Sequence, residues 1–190
     1  MKIEYEATFI NINKNKIRDK LKKIGAKLIK SEFLQKRVTF NLPNKKKDTW
    51  LRVRDEGDKN TMSLKTIDGD KIEDQKEICL EIDNFQQAEK LLTIIGCGRK
   101  SYQETKRELW KLDNVEITID EWPFLEPFVE VEGKSEKKVK IVSEKIGFDY
   151  SKALFCAIGY LYKKKYGVSL DEINEKTPRI VFNMPNPFLK

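Results

Sequence analysis

The segment Glu4–Phe9 reads EYEATF, with polar and apolar side chains in alternation. A β-strand directs successive side chains to opposite faces, so this segment predicts a strand with one apolar and one charged face. The apolar face consists of Tyr5, Ala7 and Phe9. The charged face carries Glu4 and Glu6, whose like charges repel each other unless water or a bound cation offsets the repulsion. The polar face of this strand is therefore predicted to have an electrostatic role.

The same alternation recurs in later segments that are predicted to be strands. Their apolar faces consist of Leu51 and Val53; Met62 and Leu64; Ile117 and Ile119; and Val129 and Val131. Their polar faces carry Arg52, Arg54, Lys65, Glu77, Arg107, Asp120, Glu130 and Glu132. An antiparallel sheet with one solvated face would explain such alternation, but a solvated face usually mixes charged and neutral residues. Here paired acids flank paired arginines along the chain, which favours a barrel with the charges inside.

Segments with helical periodicity alternate with these strands. The predicted strands cover residues 33–41, 50–54, 61–66, 102–112, 114–121 and 127–132, in addition to the first strand and the segment around Glu77. The predicted helices follow the capping residues Asn13 and Asn84 and cover residues 135–146 and 151–165. We expect one α+β domain over residues 1–165 with its helices outside the barrel. Residues 166–190 form a C-terminal tail to which the sequence assigns no role.

The composition limits location and partners. The chain has 190 residues, of which 39% are hydrophobic and 36% are charged, as is typical of a soluble globular protein. It has no apolar run of the ~18 residues that a membrane span needs and no secretory pattern at its N-terminus. We therefore expect a cytoplasmic protein without membrane contact. The formal net charge of +7 predicts an anionic partner, either nucleic acid or a small phosphorylated ligand.

Histidine is absent from the sequence. Its absence excludes histidine-based catalytic triads and histidine-ligated zinc, and leaves carboxylates as the plentiful metal ligands. Carboxylate oxygens favour the hard cations Mg²⁺ and Mn²⁺. Inside a barrel, Glu4, Glu6 and Glu132 would form such a ligand cluster. The opposing basic wall would consist of Arg52, Arg54, Lys65 and Arg107. A metal and a basic wall together favour binding and cleavage of polyphosphates.

Six motifs, in order, resemble the CYTH domain of the triphosphate tunnel metalloenzyme superfamily. The motifs are Glu4-x-Glu6, LRVR at 51–54, SLK at 63–65, the strand around Lys76 and Glu77, ITIDEW around Asp120, and FVEVEG at 128–133. The resemblance covers about residues 1–165. It implies a closed eight-stranded antiparallel β-tunnel with a charged interior and helices packed outside. The family includes class IV adenylyl cyclases, thiamine triphosphatases and inorganic triphosphatases.

The resemblance also implies roles for the charged residues. Glu4, Glu6 and Glu132 would hold a first Mg²⁺ or Mn²⁺ ion; Glu77, Asp120 and Glu130 would support a second, catalytic ion; and Arg52, Arg54, Lys65 and Arg107 would bind phosphates. The implied function is metal-dependent hydrolysis of a triphosphate such as tripolyphosphate, thiamine triphosphate or ATP. The alternative within the same fold is a class IV adenylyl cyclase that makes cyclic AMP from ATP.

Two positions differ from the family motifs. Thr8 stands where the ExExK signature has its lysine, and Thr105 stands where a KxR pattern has its lysine. By strand parity, Lys106 points away from the lumen and does not replace the second of these lysines. These differences favour an alternative of another class, a non-catalytic protein that binds polyphosphate or a nucleotide.

Some local alternatives are also open at this point. Arg54 and Glu132 could form an internal ion pair, and a bulge could direct Glu81 into the lumen in place of Glu77. Nucleic acid is the least favoured partner, because the basic residues outside the strands are dispersed and form no recognition motif. A homodimer is one alternative for the oligomeric state.

Overall fold

The computed structural model describes residues 1–189. The strands are β1 (Lys2–Ile3), β2 (Tyr5–Phe9), β3 (Lys27–Asn41), β4 (Thr49–Asp55), β5 (Asn60–Ile67), β6 (Gln75–Ile82), β7 (Gly98–Leu112), β8 (Val115–Glu121), β9 (Phe128–Gly133) and β10 (Arg179–Ile180). The helices are α1 (Lys14–Lys23), α2 (Phe85–Ile94), α3 (Glu136–Ile146), α4 (Gly159–Tyr166) and α5 (Leu170–Asn174). Across residues 1–189, none of the helices combines the length and the apolar character that a membrane span requires.

One interrupted N-terminal strand closes the barrel. The sheet runs in the order β1-β6-β5-β4-β3-β7-β8-β9-β2, and all neighbours along this path are antiparallel. Its two edges, β1 and β2, are parts of one segment that is interrupted at Glu4, whose N–H donates to the carbonyl of Gln75 at 2.9 Å. The prediction of an antiparallel barrel with outer helices is confirmed. The path contains nine strand segments instead of eight, because the first strand is interrupted.

The outer face of the barrel carries the apolar half of the alternating strands, and helices cover much of it, whereas Ile78 and Leu80 of β6 are 45% and 53% exposed. Helices α1 and α3 pack over β2, β8 and β9, where Ala7, Ile117 and Val131 are fully buried. Helix α2 packs over β3 and β4 through Ala88 and Leu92. Removing these apolar faces from water is the main stabilising contribution to such a fold. It also directs the polar face of each strand into the lumen, because side chains alternate along a strand.

The prediction of one helix over residues 151–165 is wrong in its first half. A 3-10 turn at Tyr150–Lys152 is followed by extended chain, and helix α4 begins only at Gly159. Leu154 exchanges both backbone hydrogen bonds with Thr8 at 3.0 Å, which requires an extended backbone. The side chains of Leu154 and Phe155 pack into two different apolar clusters. These tertiary contacts override the helical spacing of the apolar residues.

The tail after residue 165 packs onto the barrel. Strand β10 pairs in parallel with β7 at Tyr102 and Gln103, on the part of β7 that β8 leaves unpaired. Ile173, Ile180 and Phe188 are buried against Trp122 and Tyr162. The tail therefore completes an apolar cluster at the end of the barrel where β8 finishes.

We predict that Ile173→Val lowers the free energy of unfolding by about 0.5 to 1.5 kcal/mol, because it removes one buried methyl group. Ile173 is 1% exposed, whereas Ile94 on α2 is 72% exposed. The matched variant Ile94→Val should therefore unfold at the same urea concentration as the wild type. If the Ile173→Val and Ile94→Val variants unfolded at the same urea concentration, the result would contradict the packing of the tail onto the barrel.

Candidate functional site

The barrel encloses a cavity of about 300 Å³ lined by charged side chains. Its volume is at the lower end of the range of small-molecule sites, about 300 to 1,000 Å³. The lining cations are Arg37, Arg52, Arg54, Lys65, Lys100 and Arg107, and the lining acids are Glu4, Glu6, Glu77, Glu130 and Glu132. Of the ten residues that the sequence assigned to the site, nine line this cavity and Asp120 lies behind Arg107. Glu81, the alternative to Glu77, is exposed on the surface.

The order of the strands divides the cavity into a basic half and an acidic half. The arginines lie on the neighbouring strands β4, β3 and β7, and the acids lie on β9, the N-terminal segment and β6. Three strands separate β3 from the N-terminal segment in either direction around the barrel. The middle of the basic half therefore faces the glutamates of the opening segment across the lumen.

Ion pairs connect the two halves at several points. Lys65 Nζ lies 2.7 Å from Glu4 Oε2, and Arg52 Nη2 lies 2.9 Å from Glu77 Oε1. The ion pair between Arg54 and Glu132 that the sequence left open is absent from residues 1–189, because Arg54 lies 2.7 Å from Glu56. These contacts hold long side chains in the lumen in defined positions, although they also occupy groups that a ligand would use.

Asp120 orients Arg107. The carboxylate of Asp120 is 0% exposed and accepts hydrogen bonds from Nε and Nη2 of Arg107, both at 2.7 Å, and from the Thr118 hydroxyl at 2.8 Å. Burial opposes ionisation of this carboxyl, but the charge and hydrogen bonds of Arg107 dominate and lower its pKa. Arg107 also donates to Glu130 at 2.6 Å. Asp120 therefore fixes the guanidinium that borders both halves of the cavity.

The basic half is crowded with positive charge. Burial, together with repulsion from Arg52 and Arg107, lowers the pKa of Arg54 to about 10. A bound polyanion would remove this repulsion, and guanidinium groups match phosphate oxygens in geometry.

The acidic half is crowded with negative charge. Burial raises the pKa of Glu4 to about 8 despite the charge of Lys65, and the neighbouring acids contribute to this increase. Burial opposes ionisation of Glu77 as well, but the hydrogen bond with Glu4 and the charges of Lys65 and Arg52 lower its pKa to about 2. Burial and the charge of Glu6 raise the pKa of Glu130.

The donor chemistry of the acidic half fits a hard divalent cation. Its ligands would be carboxylate oxygens, and a cation would relieve the repulsion among Glu4, Glu6 and Glu130. Within residues 1–189, no three acidic or cysteine side chains already converge closely enough to hold an ion. The carboxylates of Glu4 and Glu130 instead contact Lys65 and Arg107. Binding of a cation would thus compete with these internal ion pairs.

Sequence reasoning missed several residues that line the cavity. Arg37 belongs to β3, where Gln35, Arg37 and Thr39 alternate with Val38 and Phe40, so the period-two pattern could have identified it. Lys100 also lines the cavity and pairs with Glu175 of the tail at 2.9 Å. Such a contact between distant segments leaves no signal in a single sequence.

The two threonines that differ from the family motifs are both buried. Thr8 is 4% exposed and lies opposite Glu130 in the register of β2 and β9. Thr105 is 0% exposed, and its hydroxyl accepts a hydrogen bond from Arg37. Lys106 does not line the cavity; its ammonium lies 3.6 Å from Glu121. A cation from β3 therefore occupies the space next to Thr105.

The closed barrel, its charged lumen and its outer helices together define a tunnel-domain protein. The model of the CYTH domain matches residues 2–156, and the chain belongs to this family. A candidate adenylate cyclase of Methanocaldococcus jannaschii is 30% identical over 147 residues, which cover 75% of this chain and 81% of the relative.

Solved structures share the fold at lower identity. A candidate adenylate cyclase from Vibrio parahaemolyticus has a TM-score of 0.74 at 11% identity, covering 84% of this chain and 97% of that one. A candidate adenylyl cyclase from Hippeastrum, described as having a dominant triphosphatase activity, has a TM-score of 0.56 at 16% identity, covering 90% of this chain and 99% of that one.

Proposed function

We propose that this protein is a divalent-metal-dependent phosphohydrolase that binds a triphosphate compound inside the barrel. The observation that carries the proposal is a cavity inside the barrel in which a basic half faces an acidic half. Like charges lie close together within each half: Arg52 and Arg107 add to the lowering of the pKa of Arg54, and Glu6 and Glu77 add to the raising of the pKa of Glu4, although burial is the larger cause of both shifts. A polyanion and a divalent cation bound side by side would neutralise both.

The residues of each half would have separate tasks. Arg52, Arg54, Lys65 and Arg107 would bind and orient the phosphate oxygens, with Asp120 holding Arg107 in place. Glu4, Glu6 and Glu132 would hold one Mg²⁺ or Mn²⁺ ion, and Glu77 and Glu130 would support a second. Asp120, which the resemblance also assigns to the second ion, does not line the cavity and would act through Arg107 instead. When bound, such ions polarise phosphoryl oxygens and lower the pKa of a coordinated water.

A second candidate function is an adenylyl cyclase. Trp50, Ile67 and Ile158 line the same cavity and offer an apolar surface to an organic group attached to the phosphates. The 30% identical relative carries the name of a candidate adenylate cyclase. The Hippeastrum protein favours hydrolysis instead, since its structure is described with a dominant triphosphatase activity.

We predict that the purified protein releases orthophosphate from tripolyphosphate, thiamine triphosphate or ATP in the presence of Mg²⁺ or Mn²⁺. Chelation of the cation with EDTA should abolish the release, because the acidic half would then lack the ion that polarises the phosphates. Chromatography of the products distinguishes the candidates.

Cyclic AMP together with pyrophosphate from ATP would favour the cyclase. Binding of the triphosphate without any product would favour the non-catalytic alternative, to which Thr8 and Thr105 point. A protein that neither binds nor converts any of the three compounds would overturn the proposal.

A further inference from the structure

Arg37 is a buried cation without a carboxylate partner. Arg37 is only 5% exposed, although it lines the cavity. Within residues 1–189, its side-chain contacts are with neutral groups: Nη2 donates to Gln35 Oε1 at 3.1 Å and to Thr105 Oγ1 at 2.5 Å, and the guanidinium lies 4.5 Å from the ring centre of Trp122. Its Nε is buried without a hydrogen-bond partner. A charge in this environment is costly unless an anion binds beside it.

The position of Arg37 is the middle of the basic half. It lies opposite Arg54 of β4 and Gln103 of β7 in the sheet register. Burial, followed by repulsion from Arg52, Arg54 and Arg107, lowers the pKa of Arg37. Each neighbouring strand thus adds positive charge to the same region. The charge of Asp120 opposes this effect, but Asp120 is paired with Arg107 and makes no contact with Arg37. The surroundings of Arg37 match those of a group that binds an anion.

The orientation of Arg37 is already set. Stacking on Trp122 fixes the plane of the guanidinium, and the two hydrogen bonds to Gln35 and Thr105 fix its rotation. A side chain held in this way loses little conformational freedom when a ligand binds. Nε is buried without a hydrogen-bond partner, so the internal contacts of Arg37 do not satisfy all the donors of its guanidinium.

We propose that Arg37 is a phosphate-binding residue of the tunnel, and that it supplies from β3 the positive charge that Thr105 does not supply from β7. This inference rests on the proposed binding of a triphosphate, but it does not depend on whether the compound is hydrolysed, cyclised or only bound. The contact between Arg37 and Thr105 makes the two positions interchangeable sources of one charge in the same space.

The test is calorimetric titration of the full chain with inorganic tripolyphosphate in buffer containing EDTA, which prevents turnover and isolates the basic half. Arg37→Gln should weaken binding about tenfold to a hundredfold, as expected for one lost charge-assisted hydrogen bond. Arg37→Lys keeps the positive charge but lacks the planar guanidinium group, so it should weaken binding less than Arg37→Gln does. The double variant Arg37→Gln/Thr105→Lys should recover most of the affinity. Lys106→Gln removes one charge outside the lumen and should bind like the wild type.

The outcomes separate the inference from the proposed function. If the wild type does not bind tripolyphosphate in EDTA, the inference is overturned, whereas the proposed function is decided separately by the product analysis with Mg²⁺ or Mn²⁺. If the wild type binds and the Arg37 variants bind equally well, only the inference is overturned. A loss that Thr105→Lys does not reverse, accompanied by a lower melting temperature, would assign Arg37 a structural role and would also overturn it. If Arg37→Gln does not fold, the comparison of Arg37→Lys with Lys106→Gln decides.

Discussion

Replacing Glu6 by glutamine is expected to reduce kcat for triphosphate hydrolysis about a hundredfold to a thousandfold while changing the stability of the folded state little. The activity should fall because a neutral amide binds a divalent cation far more weakly than a carboxylate, and the cation contributes several kcal/mol to the transition state. The stability should change little because Glu6 repels Glu4 and Glu130 but attracts Lys65 and Arg107. Removing its charge therefore removes contributions of both signs.

The measurement combines steady-state kinetics, titration with Mn²⁺ and thermal unfolding. Glu81→Gln is the matched control, since Glu81 is exposed on β6 and should change none of the three quantities. Loss of activity together with a marked fall in melting temperature would indicate that Glu6 supports the fold. Unchanged kcat would contradict the placement of a cation in the acidic half.

Asp120→Ala is expected to lower the free energy of unfolding by about 3 kcal/mol, the lower end of the range for breaking a buried ion pair, because it removes the fully buried partner of Arg107, whose side chain is 19% exposed and keeps Glu130. Asp120 provides the bidentate contact, and Glu130 alone would remain at 2.6 Å. A decrease of this size in the free energy of unfolding is typical of breaking a buried ion pair, whereas breaking an exposed pair costs less. Urea unfolding followed by circular dichroism measures this difference.

The neighbouring residue supplies the control. Glu121 follows Asp120 in β8 but pairs with Lys14 and Lys106 on the outer face, with its side chain 29% exposed. Glu121→Ala should cost less than about 1 kcal/mol, as is usual for exposed ion pairs. Similar losses for the two variants would mean that the burial of Asp120 is not what stabilises the contact with Arg107.

The alternation of polar and apolar residues along each strand was sufficient to predict, for most side chains, which face the lumen and which face outward. In β4, for example, Val53 is 0% exposed in the apolar cluster under α2, while Arg52 and Arg54 line the cavity. The same reasoning applied to residues 33–41 would have identified Arg37, which the motif comparison did not cover. The missed residue was thus predictable from the pattern, because side-chain direction in a strand depends only on position along that strand.

Partners across the lumen were not predictable in the same way. Arg54 contacts Glu56, two residues further along the chain, and not Glu132; Lys100 contacts Glu175 of the tail. The apolar residues around Leu154 have helical spacing, yet their backbone pairs with Thr8 in extended form. Each of these outcomes depends on segments that are far apart in sequence, so propensity and periodicity carry no information about them.

The sequence by itself determined the two faces of each strand, the carboxylate and guanidinium chemistry of the lumen and the family. Only the tertiary structure decided which charges face each other. Closure through the interrupted strand at Glu4 brings the opening glutamates opposite β3, and it places Arg37 at the centre of the basic half. The physical reason is that side-chain direction follows from local backbone geometry, whereas distances across a barrel depend on the order and closure of all its strands.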